Sequence, residues 1–206
     1  RNNIKLILCG LQGTMYPVSY PEQNDILIEY MKMIDEDYIK KQKLEGNKKF
    51  QYPKISSYNF IGPNSITLQL KNIVPIDENS NVPNIRKDFV VTEKADGERH
   101  LLYISENGKI YLISTLMNVK FTGALTKNKN LYSSLLDGEL ILNNKKINFI
   151  NLYAAFDIYY LKNRDLRANK FIIDEQDDKD DIYTSRYYLL QRLCKDLNAI
   201  SILDEN

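Results

Sequence analysis

Apolar side chains recur at helical spacing in two parts of the chain. Between Glu22 and about Gln42 they stand three or four positions apart, which predicts an amphipathic helix packed on a core. The same spacing predicts a second helix from Ser185 to about Leu197. Residues 4–8 form a short apolar run, which we interpret as a strand.

The middle of the chain has the shorter period of β-strands. Two pairs of apolar runs each flank a short polar turn, which is the signature of a hairpin. The predicted strands cover residues 66–70, 89–92, 101–104, 110–113, 135–142, 147–150 and 153–161. Loops are expected over the Pro- and Asn-rich residues 75–88 and over the acidic run 174–181. The pattern therefore predicts an α+β fold with mainly antiparallel strands.

The composition narrows the class of protein. Apolar residues make up 43% of the 206 residues and the net charge is +1, so the chain can bury a core but has no basic excess for gripping duplex nucleic acid. No apolar stretch approaches 18 residues, so we expect no membrane span. Cys9 and Cys194 belong to no metal-binding spacing, which excludes the usual zinc motifs. We expect residues 1–51 to be a lead-in segment or the edge of a preceding domain, and residues 52–206 to be the N-terminal part of the main domain.

The segment Lys94-Ala95-Asp96-Gly97-Glu98-Arg99 combines groups suited to phosphate chemistry. An amine attacks phosphorus only when it is unprotonated, which partial burial or a neighbouring cation favours. The predicted strand before Lys94 could place it in a cleft. Gly97 allows the backbone to approach a ligand, and Arg99 offers a planar fork for a phosphate or a ribose hydroxyl. The segment is therefore a candidate nucleophile site.

Two downstream segments could complete such a site. In Leu136-Asp137-Gly138-Glu139-Leu140, strand alternation places both carboxylates on one face, where they could hold a divalent cation. In Ala155-Phe156-Asp157-Ile158-Tyr159, the ring of Phe156 could stack on a base.

Together these three segments resemble the covalent nucleotidyltransferases, which include DNA ligases, RNA ligases and mRNA capping enzymes. The likeness extends over roughly residues 58–195. The stretch Phe60-Ile61-Gly62-Pro63-Asn64-Ser65-Ile66-Thr67-Leu68 resembles the segment that precedes the nucleophile in guanylyltransferases. The amino-acid sequences of these motifs are most similar to those of the capping enzymes of large cytoplasmic DNA viruses. The resemblance therefore implies a nucleotidyltransferase-type α+β domain of a capping enzyme.

The resemblance also implies roles for individual residues. Lys94 would attack the α-phosphate of GTP, form a Lys94–GMP phosphoamide and pass GMP to the diphosphate 5′ end of RNA. Asp96 and Gly97 would help to bind the nucleotide. The other expected nucleotide contacts are Arg99 at the ribose or phosphate, Glu139 at the ribose or a Mg²⁺ or Mn²⁺ ion, Phe156 on guanine, and Thr92 and Glu93 in the base pocket.

Several wider expectations come from the same likeness. Triphosphatase and methyltransferase modules are expected in the same parent chain, at a cytoplasmic site such as a viral factory, or in the virion. The family's later motifs, an E-G-(L/V)-(I/V) strand and a Lys-x-Lys pair, do not occur before Asn206. We therefore expect the chain to hold the first part of the catalytic domain, without the C-terminal OB-fold lid, and to form little enzyme–GMP by itself.

Two other functions fit the same motifs. An ATP-dependent polynucleotide ligase would share Lys94 and Glu139 but would select adenine. A degenerate nucleotidyltransferase domain would serve as an interaction module and would not need Lys94. The Arg that many members place near residues 114–115 is absent here, and the single histidine, His100, is interpreted as a packing residue of the strand.

Overall fold

The structure is a computed structural model and describes residues 2–44, 53–77, 79–87, 89–173 and 179–203. Its four α-helices within these ranges are α1 (Asn2–Gln12), α2 (Tyr20–Ile34), α3 (Glu36–Leu44) and α4 (Arg186–Asp196). Short 3₁₀ turns occupy Ser57–Asn59, Leu70–Asn72, Lys129–Leu131 and Lys179–Thr184. Among the described residues, no helix is long and apolar enough to cross a membrane.

One antiparallel sheet forms the centre of the molecule. Its strands are β1 (Glu98–Ile104), β2 (Lys109–Ser114), β3 (Val119–Leu125), β4 (Ser134–Asn143), β5 (Phe149–Leu161), β6 (Arg164–Asp165) and β7 (Ile200–Ser201). They lie side by side in the order β6-β5-β4-β1-β2-β3-β7, and every pairing is antiparallel. The prediction of an α+β fold with antiparallel strands is confirmed, as are the two hairpins β1–β2 and β4–β5. Residues 147–150 and 153–161, predicted as separate strands, lie largely within β5.

Each face of the sheet has its own apolar core. On the first face, Leu101, Tyr103 and Leu135 pack with Tyr30 and Met31 of α2. On the second face, the alternate strand positions pack with Leu190 and Leu193 of α4. The sheet therefore separates two helical layers, and α2 covers the face that also bears the site described below.

Helix α2 is joined to the sheet by polar contacts as well as by its apolar stripe. Tyr111 donates a hydrogen bond of 2.7 Å to Glu22, and Tyr103 donates one of 3.0 Å to Glu29. The long helix predicted over this region is divided at Asp35, whose carboxylate accepts from the amide of Tyr38 (2.9 Å) and caps α3. The predicted domain boundary after residue 51 lies among residues outside the described ranges and stays a prediction.

Three predicted strands are wrong. Residues 4–8 lie in α1, since a short apolar run does not by itself distinguish a strand from a helix. Residues 66–69 and 89–92 have no regular structure, and Leu70 begins a 3₁₀ turn. Val91 is fully exposed and Ile66 is 73% exposed. Without a neighbouring strand among the described residues, β-prone side chains have no pleated surface on which to pack. The expected loops show no helix or strand in the described parts of 75–88, whereas residues 174–178 lie outside the described ranges.

Candidate functional site

The candidate site lies where β1 and β4 pair on the first face of the sheet. Arg99 stands opposite Glu139, and Leu101 stands opposite Asp137. Because side chains alternate along a strand, Arg99, Asp137 and Glu139 project toward the same side. The sequence prediction that Asp137 and Glu139 share a face agrees with this register.

Arg99 and Asp137 form a bidentate ion pair. Nε of Arg99 donates to Oδ1 of Asp137 at 3.0 Å, and Nη2 donates to Oδ2 at 2.5 Å. The Asp137 side chain is completely buried, whereas that of Arg99 is 24% exposed. The carboxylate raises the pKa of the Arg99 guanidinium above its ordinary value, chiefly through these hydrogen bonds. Because Asp137 is buried and both of its oxygens bond to Arg99, it is not available to bind a metal ion.

Residues 60–63 lie against the guanidinium of Arg99. Nη1 donates to the carbonyl of Pro63 at 2.6 Å, and the ring centre of Phe60 lies 5.3 Å from Cζ. A Cβ on Gly62 would come within 2.4 Å of both the guanidinium and the ring of Phe60. A larger residue at this position would require the guanidinium or the ring to shift, which gives a physical reason for the Phe-x-Gly pattern.

Two β-bulges direct side chains of β5 toward the same cluster. Asp137 pairs with Asp157 and Gly138 with Ala155, so Phe156 is an extra residue between them. In the same way, Tyr159 is the extra residue between the pairs Leu135–Tyr160 and Leu136–Ile158. Bulges re-aim side chains in this manner. Phe156 is 38% exposed, and its ring centre lies 6.0 Å from Cζ of Arg99.

Tyr159 completes the buried part of the cluster. Its hydroxyl donates a hydrogen bond of 2.5 Å to Oδ2 of Asp137. Burial, together with this bond to Asp137, raises the pKa of Tyr159 far above its ordinary value. The hydroxyl therefore remains protonated and remains a donor at physiological pH.

Glu139 connects the strand cluster to the proposed nucleophile segment. Its Oε2 accepts a hydrogen bond of 2.8 Å from the amide of Gly97. A Cβ on Gly97 would lie 2.5 Å from the carbonyl oxygen of Leu140, so the two backbones approach closely here. The half-buried Glu139 thus fixes the end of the segment that contains Lys94.

Lys94 itself lies on an exposed segment. Its side chain is 86% exposed, and Nζ lies 3.3 Å from the carbonyl of Ala95 and 3.9 Å from Oδ1 of Asp96. The expected cleft behind a preceding strand is wrong, because residues 89–92 form no strand. Thr92 and Glu93 are likewise exposed in irregular backbone. The structure brings three of the predicted site residues together: Arg99, Glu139 and Phe156. The other four, Thr92, Glu93, Lys94 and Asp96, lie on the exposed segment that precedes β1.

The described residues contain no group of three or more His, Cys, Asp or Glu side chains that could hold a metal ion. Glu139 can contribute one carboxylate, because Gly97 occupies only its Oε2. A single carboxylate suits Mg²⁺, which keeps several waters and takes other ligands from substrate phosphates. The residues therefore fit a metal ion that arrives with a nucleotide.

Sequence reasoning overlooked two contributors to this site. The contact of Phe60 with Arg99 depends on how residues 60–63 fold back on the strand. The bond between Tyr159 and Asp137 depends on a bulge that simple alternation does not predict. His100 is buried, and its Nδ1 lies 3.0 Å from the carbonyl of Glu98, in agreement with the packing role expected for it.

Comparison with known proteins identifies the family. Residues 29–175, well over half of the chain, match the family model for the catalytic domain of mRNA capping enzymes. A probable mRNA-capping enzyme of Acanthamoeba polyphaga mimivirus is 33% identical over 100 residues, which are 48% of this chain and 8% of the viral protein. The matched part is thus a small portion of that relative. From the family match, this chain belongs to the mRNA capping enzyme catalytic domains.

Proposed function

We propose that this domain is a guanylyltransferase that transfers GMP from GTP, through a covalent Lys94–GMP intermediate, to the diphosphate 5′ end of RNA. Family membership supports a nucleotidyltransferase role. The observation that carries the proposal is the convergence of Arg99, Glu139 and Phe156 on one side of the sheet. The Gly97–Glu139 hydrogen bond joins this cluster to the Lys94 segment.

Each converging group suits one part of GTP. The exposed portion of the Phe156 ring can stack on guanine. Three of the five N–H donors of Arg99 are used by Asp137 and Pro63, which leaves two for a ribose hydroxyl or a phosphate oxygen. Glu139 can accept from the ribose. Thr92 and Glu93 would border the base, and Asp96 and Gly97 would border the phosphates.

The chemistry proceeds in two balanced steps. The nitrogen of Lys94 attacks as the unprotonated amine, forms a P–N bond to the α-phosphorus and releases one proton to solvent. The bond to the β-phosphate oxygen breaks, and pyrophosphate leaves with the electron pair. In the second step an oxygen of the RNA 5′-diphosphate attacks the same phosphorus. The P–N bond then breaks, and the lysine nitrogen takes back a proton.

Glu139 would hold Mg²⁺ or Mn²⁺ together with the phosphates of GTP. The ion would supply neutralisation of the phosphate charge. The protein's own part is positioning, since phosphoryl transfer depends mostly on placement and charge compensation.

The likeness to a viral capping protein supports a wider proposal for the polypeptide that contains this segment. That polypeptide would also contain triphosphatase and methyltransferase modules and would act in the cytoplasm, in a viral factory or in the virion. The partners would be GTP and the 5′ end of nascent RNA.

The test uses [α-³²P]GTP or [α-³²P]ATP with Mg²⁺, followed by denaturing electrophoresis and acid treatment. Two proteins are compared: the 206-residue chain and a longer natural polypeptide that contains it. We expect acid-labile label from GTP on the longer polypeptide and little on the chain alone, because the chain has no Lys-x-Lys pair after the acidic run. Lys94→Ala should abolish the label, whereas Lys145→Ala in the exposed β4–β5 turn should retain it.

Other outcomes would assign another function. Label from ATP in preference to GTP would replace guanylyl transfer with the ligase chemistry. A longer polypeptide that takes no label from either nucleotide would support the degenerate interaction module. Strong label on the isolated chain would show that the later motifs are dispensable for the first step.

A further inference from the structure

Arg99 has a second layer of support that extends to the hydroxyl of Tyr159. The three side chains form a continuous chain of hydrogen bonds, from Tyr159 to Asp137 and from Asp137 to Arg99. Asp137 is completely buried, and Tyr159 is 5% exposed. Of the three hydrogen-bonded side chains, that of Arg99 is therefore the one that solvent reaches most.

We propose that Tyr159 is a positioning residue for nucleotide binding, acting through Asp137 to fix the orientation of Arg99. This inference rests on the proposed function, because it assumes that Arg99 contacts GTP. The hydroxyl of Tyr159 bonds to Oδ2 of Asp137, the carboxylate that lies behind the expected nucleotide contacts.

The geometry explains why the hydroxyl is needed. Oδ2 of Asp137 receives both the Nη2 donor of Arg99 and the Tyr159 hydroxyl, and Oδ1 receives Nε. A carboxylate can accept about four hydrogen bonds, and burial makes each unfilled position costly. Without the Tyr159 hydroxyl, Asp137 would be held on one side only and could rotate about its Cβ–Cγ bond. The plane of the guanidinium would then rotate together with the carboxylate to which it is hydrogen-bonded.

The orientation of that plane matters for two reasons. The two unused N–H donors of Arg99 point in directions set by the fork. The guanidinium also lies near the rings of Phe60 and Phe156, at 5.3 and 6.0 Å from their centres. A rotation would change the donors offered to the ligand and the space left beside Phe156. Tyr159 would thereby influence GTP affinity without contacting GTP.

The experiment measures equilibrium binding of GTP with Mg²⁺ to the 206-residue chain by calorimetry. Tyr159→Phe removes one oxygen and keeps the ring. Tyr160→Phe is the matched control, because Tyr160 is the next residue, is equally buried, and bonds weakly to Asp165 at 3.4 Å. We expect Tyr159→Phe to raise the dissociation constant by about three- to tenfold, the loss of one buried hydrogen bond, and Tyr160→Phe to change it less than twofold. Circular dichroism and Tm confirm that both variants fold.

A double-mutant cycle with Arg99→Lys separates positioning from a general structural effect. Lysine keeps the charge but cannot form the fork. If Tyr159 acts through Arg99, Tyr159→Phe should have almost no effect on GTP affinity in the Arg99→Lys background. An unchanged affinity in the single variant, or an equal loss in both backgrounds, would overturn the inference alone. If the unaltered chain binds no GTP, the same variants are compared in the longer polypeptide, where the absence of GTP binding would overturn the proposed function and this inference together.

Discussion

The amide of Gly97 donates a 2.8 Å hydrogen bond to Oε2 of Glu139, beside the end of the β1–β4 pairing where Glu98 stands opposite Leu140. The two residues are 42 positions apart and belong to different sequence motifs. Their bond is the direct physical link between the exposed segment of Lys94 and the buried cluster around Arg99. Disturbing either partner should therefore affect the whole site.

Replacing Gly97 with alanine should damage both stability and activity. The new Cβ would meet the carbonyl oxygen of Leu140 at 2.5 Å, so the backbones must separate. We expect a loss of about 1–3 kcal/mol in the free energy of unfolding. Enzyme–GMP formation by the longer polypeptide should fall by about 10²-fold, since a displacement of about 1 Å is enough to misplace a nucleophile.

The control for this change is Gly10→Ala in α1. A Cβ on Gly10 meets nothing within 4 Å, and alanine favours a helix by about 0.5–1 kcal/mol. This variant should keep full activity and an equal or higher Tm in thermal denaturation. If Gly97→Ala behaved like Gly10→Ala, the close approach to Leu140 would have no functional importance.

Glu139→Gln should separate the structural role of Glu139 from its role as a metal ligand. Glutamine retains an oxygen that can accept from Gly97, but it removes the charge. We expect an almost unchanged Tm and at least a tenfold higher Mg²⁺ concentration for half-maximal labelling of the longer polypeptide, because an interaction with a charged group contributes about 1.5–3 kcal/mol. Glu139→Ala should lower Tm as well. A normal Mg²⁺ dependence in Glu139→Gln would remove Glu139 from the metal site.

The sequence predicted the fold class and the face shared by Asp137 and Glu139, but not the contacts around them. Alternation correctly placed Asp137 and Glu139 on one face, because β4 pairs regularly with β1. The contacts of Phe156 and Tyr159 could not be predicted, because each is the extra residue of a bulge that changes the direction of its side chain. The strand expected at 89–92 was wrong because strand formation depends on a pairing partner as well as on propensity. The split roles of Asp137 and Glu139 follow from burial, which spacing does not reveal.

Glu29 should make the stability of the α2–sheet contact depend on pH. Partial burial is the main cause that raises the pKa of this carboxyl above its ordinary value, although Tyr103 and the amide of Glu106 oppose the shift by bonding to it. A raised pKa means that the folded state holds the proton more tightly than the unfolded state. The contribution of protonated Glu29 to the free energy of unfolding is fully present below the pKa of the unfolded state. It is lost as pH rises through the pKa of the folded state.

Glu29→Gln removes the charge and keeps an acceptor for Tyr103. Thermal denaturation should give this variant a Tm about 1–3 °C above that of the unaltered chain at pH 7.5, a small effect because Glu29 is only partly buried. The difference should shrink as the pH falls toward 4.5. Glu36→Gln is a suitable control, since Glu36 is an exposed residue paired with Lys40 on α3. An equal Tm difference at every pH would contradict the assignment to Glu29.

The ion pair between Arg186 and Asp157 should anchor α4 to the second face of the sheet. Nε of Arg186 donates to Asp157 at 2.8 Å, and Nη1 donates to the carbonyl of Asn169 at 2.6 Å, in a setting where both charged side chains are less than 20% exposed. Arg186→Lys keeps the charge but cannot form both bonds, so it should cost about 2–3 kcal/mol in urea unfolding. Arg192→Lys on the same helix disturbs only an exposed pair with Asp196 at 3.6 Å and should cost less than about 0.5 kcal/mol. Equal costs for the two variants would show that the partly buried pair adds nothing beyond an ordinary surface charge.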